Sequence, residues 1–113
     1  MGVKATLEYE YYPSPVINDD EELNRIAHAA AVKLYGPEGV KEDLPKMMGS
    51  EDFAYYADRI PAVFGFLGSR DEAAGLTATN HNDHYTVPET VLKRGAALYA
   101  QFAFDYLEDG ARA

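Results

Sequence analysis

The segment Ala62-Val63-Phe64-Gly65-Phe66-Leu67-Gly68 decides the fold class. It is apolar on both faces, the pattern of an interior strand, parallel to its neighbours and covered by helices above and below. A strand with one wet face would alternate instead. Pro61 stands just before it, and a long loop, residues 69–85, follows. Loops of that length inside a compact domain are uncommon and are often functional.

Upstream, Val3, Ala5, Leu7, Tyr9 and Tyr11 alternate with Lys4, Thr6, Glu8, Glu10 and Tyr12, the period of a half-buried strand. Pro13 and Pro15 end it, because neither can donate to a ladder. Asn18 or Asp19 is expected to cap a helix with Asp20 to Glu22 in its first turn. Leu23, Ile26, Ala27, Ala30 and Leu34 share one helical face, and Gly36-Pro37 closes the helix. Residues 38–48 are weakly patterned, with a short strand expected around Val40. Ser50 is expected to cap a second helix, with Glu51 and Asp52 in its first turn and Phe53, Tyr56 and Ala57 inside. Thr86-Val87-Pro88-Glu89 reads as a capping box. The helix it opens has Leu92, Gly95, Ala96, Tyr99, Phe102, Ala103 and Tyr106 as its expected buried stripe. Strand, helix, helix, strand, helix is an α/β order.

This order has too few strands for its own core. Leaving ~300 Å² of a two-faced strand wet costs several kcal/mol, at roughly 25 cal/mol per Å². The surface is therefore expected to be buried against another chain or against the missing part of a larger protein. An unpaired apolar edge also invites self-association.

Bulk composition narrows the partners. With 113 residues, 47% of them hydrophobic and 12% aromatic, the chain is one folded domain. Nineteen acidic against ten basic residues give a net charge of -9, which repels phosphate backbones and disfavours nucleic acid. The absence of cysteine excludes disulfides, thiolate–zinc sites and a cysteine nucleophile. MGVKATLEYEYY contains no apolar signal core, and no run approaches the roughly 18 apolar residues of a membrane helix. The chain reads as soluble and cytoplasmic, with no membrane partner. Tyr9, Tyr11 and Tyr12, interleaved with Glu8 and Glu10, read as a packing face rather than a stacking platform. His28, in the middle of the first helix, reads as a partly buried structural residue. No GxSxG elbow and no glycine-rich phosphate loop occurs.

Chemistry concentrates in TNHNDHYTVP, residues 79–88. His81 and His84 are its imidazoles, with Asn82 and Asp83 between them. Imidazole is the commonest zinc ligand and the natural proton carrier near neutral pH. Two readings stand: His81 supplies a ligand at the end of a strand-to-helix loop, or both histidines only hydrogen-bond at the surface. Spacing alone favours the second, because catalytic zinc needs three protein donors and adjacent loop residues rarely converge on one ion. Gly49-Ser50-Glu51-Asp52-Phe53 has a similar pair of readings, an anion-binding helix start or an ordinary N-cap, and its two acids oppose an anion.

MMGSEDFAYYADRIPAVFGFLGS (residues 47–69) followed by NHNDHYTVPETVLKRGAALYAQFAFDYL (residues 80–107) resembles the C-terminal part of a hydrolase family. These are the zinc-dependent amidohydrolases and exopeptidases of the hippurate hydrolase, aminoacylase and indoleacetyl-amino-acid hydrolase type. The matching features, in order, are residues 49–53, 63–68, 81–82, 89 and 95–99. The resemblance covers nearly the whole chain. It implies residues 1–15 as the last strand of a lid (dimerisation) domain and residues 16–113 as the C-terminal portion of the catalytic domain. The fold would then be a partial three-layer α/β unit of zinc-peptidase type plus one orphaned lid strand.

Carried over, His81 matches the family's last metal-ligand histidine, and His84 is a candidate second ligand. Gly49, Ser50, Glu51, Asp52 and Asn82 would shape the substrate site. In the family a pair of divalent ions (zinc, manganese or cobalt) activates a bridging water, and a glutamate acts as general base. The substrate is an N-acyl amino acid or small peptide. Paired Lewis acids suit that reaction because they acidify water and polarise the amide carbonyl. The other ligands and the glutamate have no counterpart here, so the resemblance implies a fragment that is inactive alone. It need bind no metal, and it is expected to self-associate or to join a missing N-terminal half. Two alternatives stand beside it: a non-catalytic oligomeric interaction module, and a small metal-binding protein using His81, Asp83 and His84.

Overall fold

The computed structural model describes residues 2–10 and 14–110. Three helices organise them. α1 spans Glu21–Tyr35, α2 spans Ala54–Ala57, and α3 spans Glu89–Gly110. A short 3₁₀ turn, Pro37–Gly39, follows α1.

α1 begins where its cap allows. The Asp20 carboxylate accepts from the Leu23 amide at 2.9 Å, and Glu21 and Glu22 complement the positive end of the helix. The cap is thus one or two residues later than Asn18 or Asp19, since Asn18 is engaged elsewhere. Gly36 ends the helix at φ 73°, a conformation glycine adopts without strain, and its amide returns to the Val32 carbonyl at 2.9 Å. Leu23, Ile26 and Ala30 are buried, as the helical face required, while Ala27 is half-buried and Leu34 is exposed.

α1 packs against α3, and polar ties fix the pair. Lys33 Nζ lies 2.6 Å from Asp105 Oδ1, and Tyr35 Oη donates to the Arg94 carbonyl. Arg25 bridges Glu22 on its own helix and Asp109 on α3. His28 is half-exposed and pairs with Glu42 at 2.7 Å, which attaches the segment after the 3₁₀ turn to α1.

Several expected elements are absent among the described residues. No strand forms at 2–10, where every residue is exposed; Tyr11, Tyr12 and Pro13 lie outside the described residues. Residues 62–68 are neither helix nor strand, and no strand forms around Val40. The physical reason is common to all three: a strand is defined by a ladder, and none of them forms one among the described residues. A single antiparallel bridge, Asp71 with Leu76, closes a tight turn around Gly75 at φ 72°.

Ser50 does not cap the second helix. That helix is one turn starting at Ala54, and it buries Ala54 while Tyr56 stays exposed. No hydrogen bond joins Thr86 to Glu89, so the capping box is not formed. The expected stripe of α3 also faces the wrong way for this chain. Val91 and Asp105 are buried and Leu98 half-buried, whereas Leu92, Tyr99 and Tyr106 are exposed. Gly95 and Phe102, at the seam between the two faces, are half-buried.

The buried apolar core is accordingly small: Leu23, Ile26, Ala30, Ala54 and Val91. The radius of gyration is 18.6 Å, against roughly 13 Å for a compact 100-residue domain. Leu92, Tyr99, Phe104 and Tyr106 of α3 are left exposed.

Candidate functional site

The 69–85 loop is clasped at its base. Ser69 Oγ and Tyr85 Oη lie 3.3 Å apart, and Leu67, just upstream, packs where α3 has only Gly95. A Cβ on Gly95 would sit 3.2 Å from Leu67 Cδ2, so the glycine permits this close approach. The loop therefore leaves and re-enters the body of the protein at one place, next to the start of α3.

Just before the loop closes at Tyr85, the backbone bends around Asn82. The Asn82 Oδ1 accepts from the His84 amide at 2.9 Å, and its carbonyl accepts from the Tyr85 amide at 3.0 Å. This is an Asx-type turn, in which the side chain imitates a backbone bend. Asn82 thus acts on the loop's own shape. His81, immediately before it, has φ 63°, and it is the one non-glycine residue with positive φ among the described residues. Left-handed backbone is uncommon for a side-chain-bearing residue, and such outliers cluster at ligand and active sites.

His81, Asp83 and His84 are all exposed. His84 Nε2 lies 3.6 Å from Asp83 Oδ1, with both side chains almost fully in solvent. Among the described residues no group of three or more His, Cys, Asp or Glu side chains is placed to hold a metal ion. The donor set present, separate exposed imidazoles, does not by itself fit a divalent centre.

Gly49, Ser50, Glu51 and Asp52 are exposed. Glu51 Oε1 accepts from the Phe53 amide at 3.2 Å, so the turn is held by its own acid. No hydrogen bond or ion pair joins this turn to His81 or Asn82 among the described residues. A shallow concavity of about 310 Å³ lies between the start of α1 and the residues after α2, and no expected site residue lines it.

Sequence reasoning missed two positions. Asn18 clamps the backbone of Phe64, with Nδ2 to the carbonyl at 2.6 Å and the amide to Oδ1 at 2.8 Å. Asp105 is buried, and the Lys33 ammonium beside it, with Gln101, holds its carboxyl below the usual carboxylate range. The one acid between Gly95 and Leu107 was the available signal for Asp105, whereas Asn18 was read only as a possible helix cap.

Comparison with known proteins fixes the family. The sequence description of peptidase family M20/M25/M40 matches residues 3–105. Relatives include IAA-amino acid hydrolase ILR1-like 6 of Arabidopsis thaliana, 36% identical over 96% of this chain and 24% of its own length. ILR1-like 2 of the same plant is 38% identical over 88% of this chain and 22% of its own. Thermostable carboxypeptidase 1 of Saccharolobus solfataricus is 32% identical over 90% of this chain and 25% of its own. No solved structure matches.

The chain belongs to peptidase family M20/M25/M40, a family of hydrolases with amidohydrolase and metallopeptidase members. It spans about a quarter of the length of the curated relatives it matches. Membership implies an α/β peptidase fold; the described residues form helices and no strand. No helix of the described residues is long and apolar enough to cross a membrane.

Proposed function

We propose that this chain is the C-terminal portion of a metal-dependent amidohydrolase that cleaves the amide bond of N-acyl amino acids or small peptides. The observation that carries the reading is the family match across residues 3–105, a span that contains His81, Asn82 and α3. The left-handed backbone at His81 supports it, since an exposed loop does not need that conformation for stability. In this reading residues 1–15 belong to the lid domain and residues 16–113 to the catalytic domain. His81 supplies one ligand of a divalent centre of zinc, manganese or cobalt, with His84 nearby, and residues 49–52 and Asn82 border the substrate. The enzyme acts in the cytoplasm.

The remaining ligands and the general base come from elsewhere in the complete enzyme. One imidazole positions neither a metal pair nor a base, so the 113-residue chain alone is inactive. The test is hydrolysis of hippurate and related N-acyl amino acids with added zinc, manganese or cobalt. No turnover is expected from the isolated chain, and turnover abolished by His81→Ala would reject the inactivity. In the complete enzyme His81→Ala is expected to remove activity; an unaffected rate would reject the ligand role.

A further inference from the structure

His81 holds a left-handed backbone, φ 63°, that nothing of its own secures. Its side chain is exposed, and among the described residues it makes no hydrogen bond or ion pair. A residue with a side chain leaves that region when released, because its Cβ crowds the following carbonyl oxygen. The restraint therefore comes from its neighbours in the chain.

The loop that carries His81 is braced in three places. Ser69 Oγ and Tyr85 Oη, 3.3 Å apart, close its base. On the outbound arm Asp71 and Leu76 exchange backbone hydrogen bonds of 3.0 and 2.8 Å, and Asp71 Oδ1 accepts from the Ala74 amide at 3.0 Å. On the return arm Asn82 accepts twice, through Oδ1 from the His84 amide and through its carbonyl from the Tyr85 amide. Tyr85 thus closes the Asn82 turn with its amide and the base of the loop with its hydroxyl. The chain must reach a fixed turn and a fixed base together, and His81 is the joint that adjoins that turn. One left-handed residue there reverses the chain within a single step.

We propose that Asn82 is a positioning residue for His81: its turn holds the His81 backbone left-handed and so sets the direction in which the imidazole is presented. The carboxamide acts through its acceptor oxygen, which is committed within the loop and not offered to a bound molecule. For an imidazole at a reacting centre, direction matters as much as presence, since a misplacement of about 1 Å costs on the order of a hundredfold in rate. The functional meaning rests on reading His81 as part of the hydrolase site; the geometric claim stands apart from it.

The experiment is NMR spectroscopy of the isotope-labelled 113-residue chain. It reads the three-bond amide–α-proton coupling and the α-carbon shift of His81, both of which report φ. Asn82→Ala removes the acceptor and is expected to cut the left-handed population of His81 by about fivefold or more. Asn82→Asp keeps an oxygen at the same place and is expected to restore the wild-type signature. Asp71→Ala loosens the other turn of the same loop and is expected to leave that signature in place. Helix content by circular dichroism is expected to be unchanged in all three, since the loop is exposed. A right-handed His81 in the unmodified chain overturns the proposal. So does a left-handed signature that survives Asn82→Ala, that Asn82→Asp fails to restore, or that Asp71→Ala removes equally. The rate of His81→Ala in the complete enzyme scores the ligand reading separately. An unaffected rate rejects that reading and keeps the positioning; a lost rate with the signature unmoved in Asn82→Ala does the reverse.

Discussion

Asn18 and Phe64 exchange two hydrogen bonds, the side-chain amide of one serving the peptide group of the other at 2.6 and 2.8 Å. A carboxamide presents the same donor and acceptor pair as a peptide unit. Asn18 is thus a one-residue substitute for a strand neighbour, and it ties the approach to α1 to the segment that sequence patterning reads as interior sheet. Asn18→Ala is expected to destabilise the fold by about 1 kcal/mol, because water replaces two exposed hydrogen bonds incompletely. Asn18→Asp keeps the acceptor but turns a carboxylate toward the Phe64 carbonyl, and is expected to be at least as damaging. Urea denaturation of the three proteins measures this; equal midpoints would show that the clamp adds no stability.

The clamp also marks the limit of what the sequence discloses. α1 was legible, its cap apart, because its signals are local: acids at its start, a face of Leu23, Ile26 and Ala30, and a closing glycine. α3 was legible as a helix for the same reason, although it starts at Glu89 and not from the expected cap at Thr86. Residues 62–68 were expected as an interior strand and form none, because pairing is a property of two segments and among the described residues no second segment lies beside them. The stripe of Leu92, Tyr99 and Tyr106 misled in the same way: expected as a buried face, it is exposed. His81 was picked out by residue type, whereas its left-handed backbone could be seen only in three dimensions.

His81 and Gly36 share positive φ for opposite reasons. At Gly36 the conformation costs little and ends a helix, so Gly36→Ala is expected to lose roughly 1 kcal/mol of stability. At His81 the side chain opposes the backbone, so His81→Gly is expected to gain a fraction of a kcal/mol, at most about 1. A paired measurement by thermal unfolding checks the signs. A loss of stability in His81→Gly would mean that the imidazole contributes to the fold, which would weaken the ligand role.

Metal retention follows from the donor geometry. His84 and Asp83 are solvent-exposed and 3.6 Å apart, and no three-donor group exists among the described residues. Weak sites of one or two donors release metal on dialysis. The chain dialysed after exposure to zinc, manganese or cobalt is expected to retain far less than one equivalent. One equivalent by elemental analysis, lost in His81→Ala, would reinstate the loop as a self-sufficient metal site.

Acid should separate the α1–α3 contact from the rest of the fold. Asp105 Oδ1 accepts from Lys33 at 2.6 Å and from Gln101 at 2.9 Å, and Oδ2 has no hydrogen-bond partner among the described residues. The Lys33 hydrogen bond is the chief reason that the Asp105 carboxyl titrates below its ordinary value of 3.8. Folded protein therefore binds this proton less readily than unfolded chain does. The contribution is complete above the unfolded value and disappears as pH falls through the folded one. Asp105→Asn removes that acid dependence and leaves Lys33, which is half-exposed, free to enter water. Lys33→Met instead leaves a buried carboxylate with Gln101 as its remaining donor, an uncompensated charge that protein interiors tolerate poorly. The expected order of stability at neutral pH is wild type, then Asp105→Asn, then Lys33→Met. Below pH 4 the gap between wild type and Asp105→Asn should narrow. Parallel stability curves for those two proteins from pH 7 to pH 3 would show that the ion pair does not couple the helices.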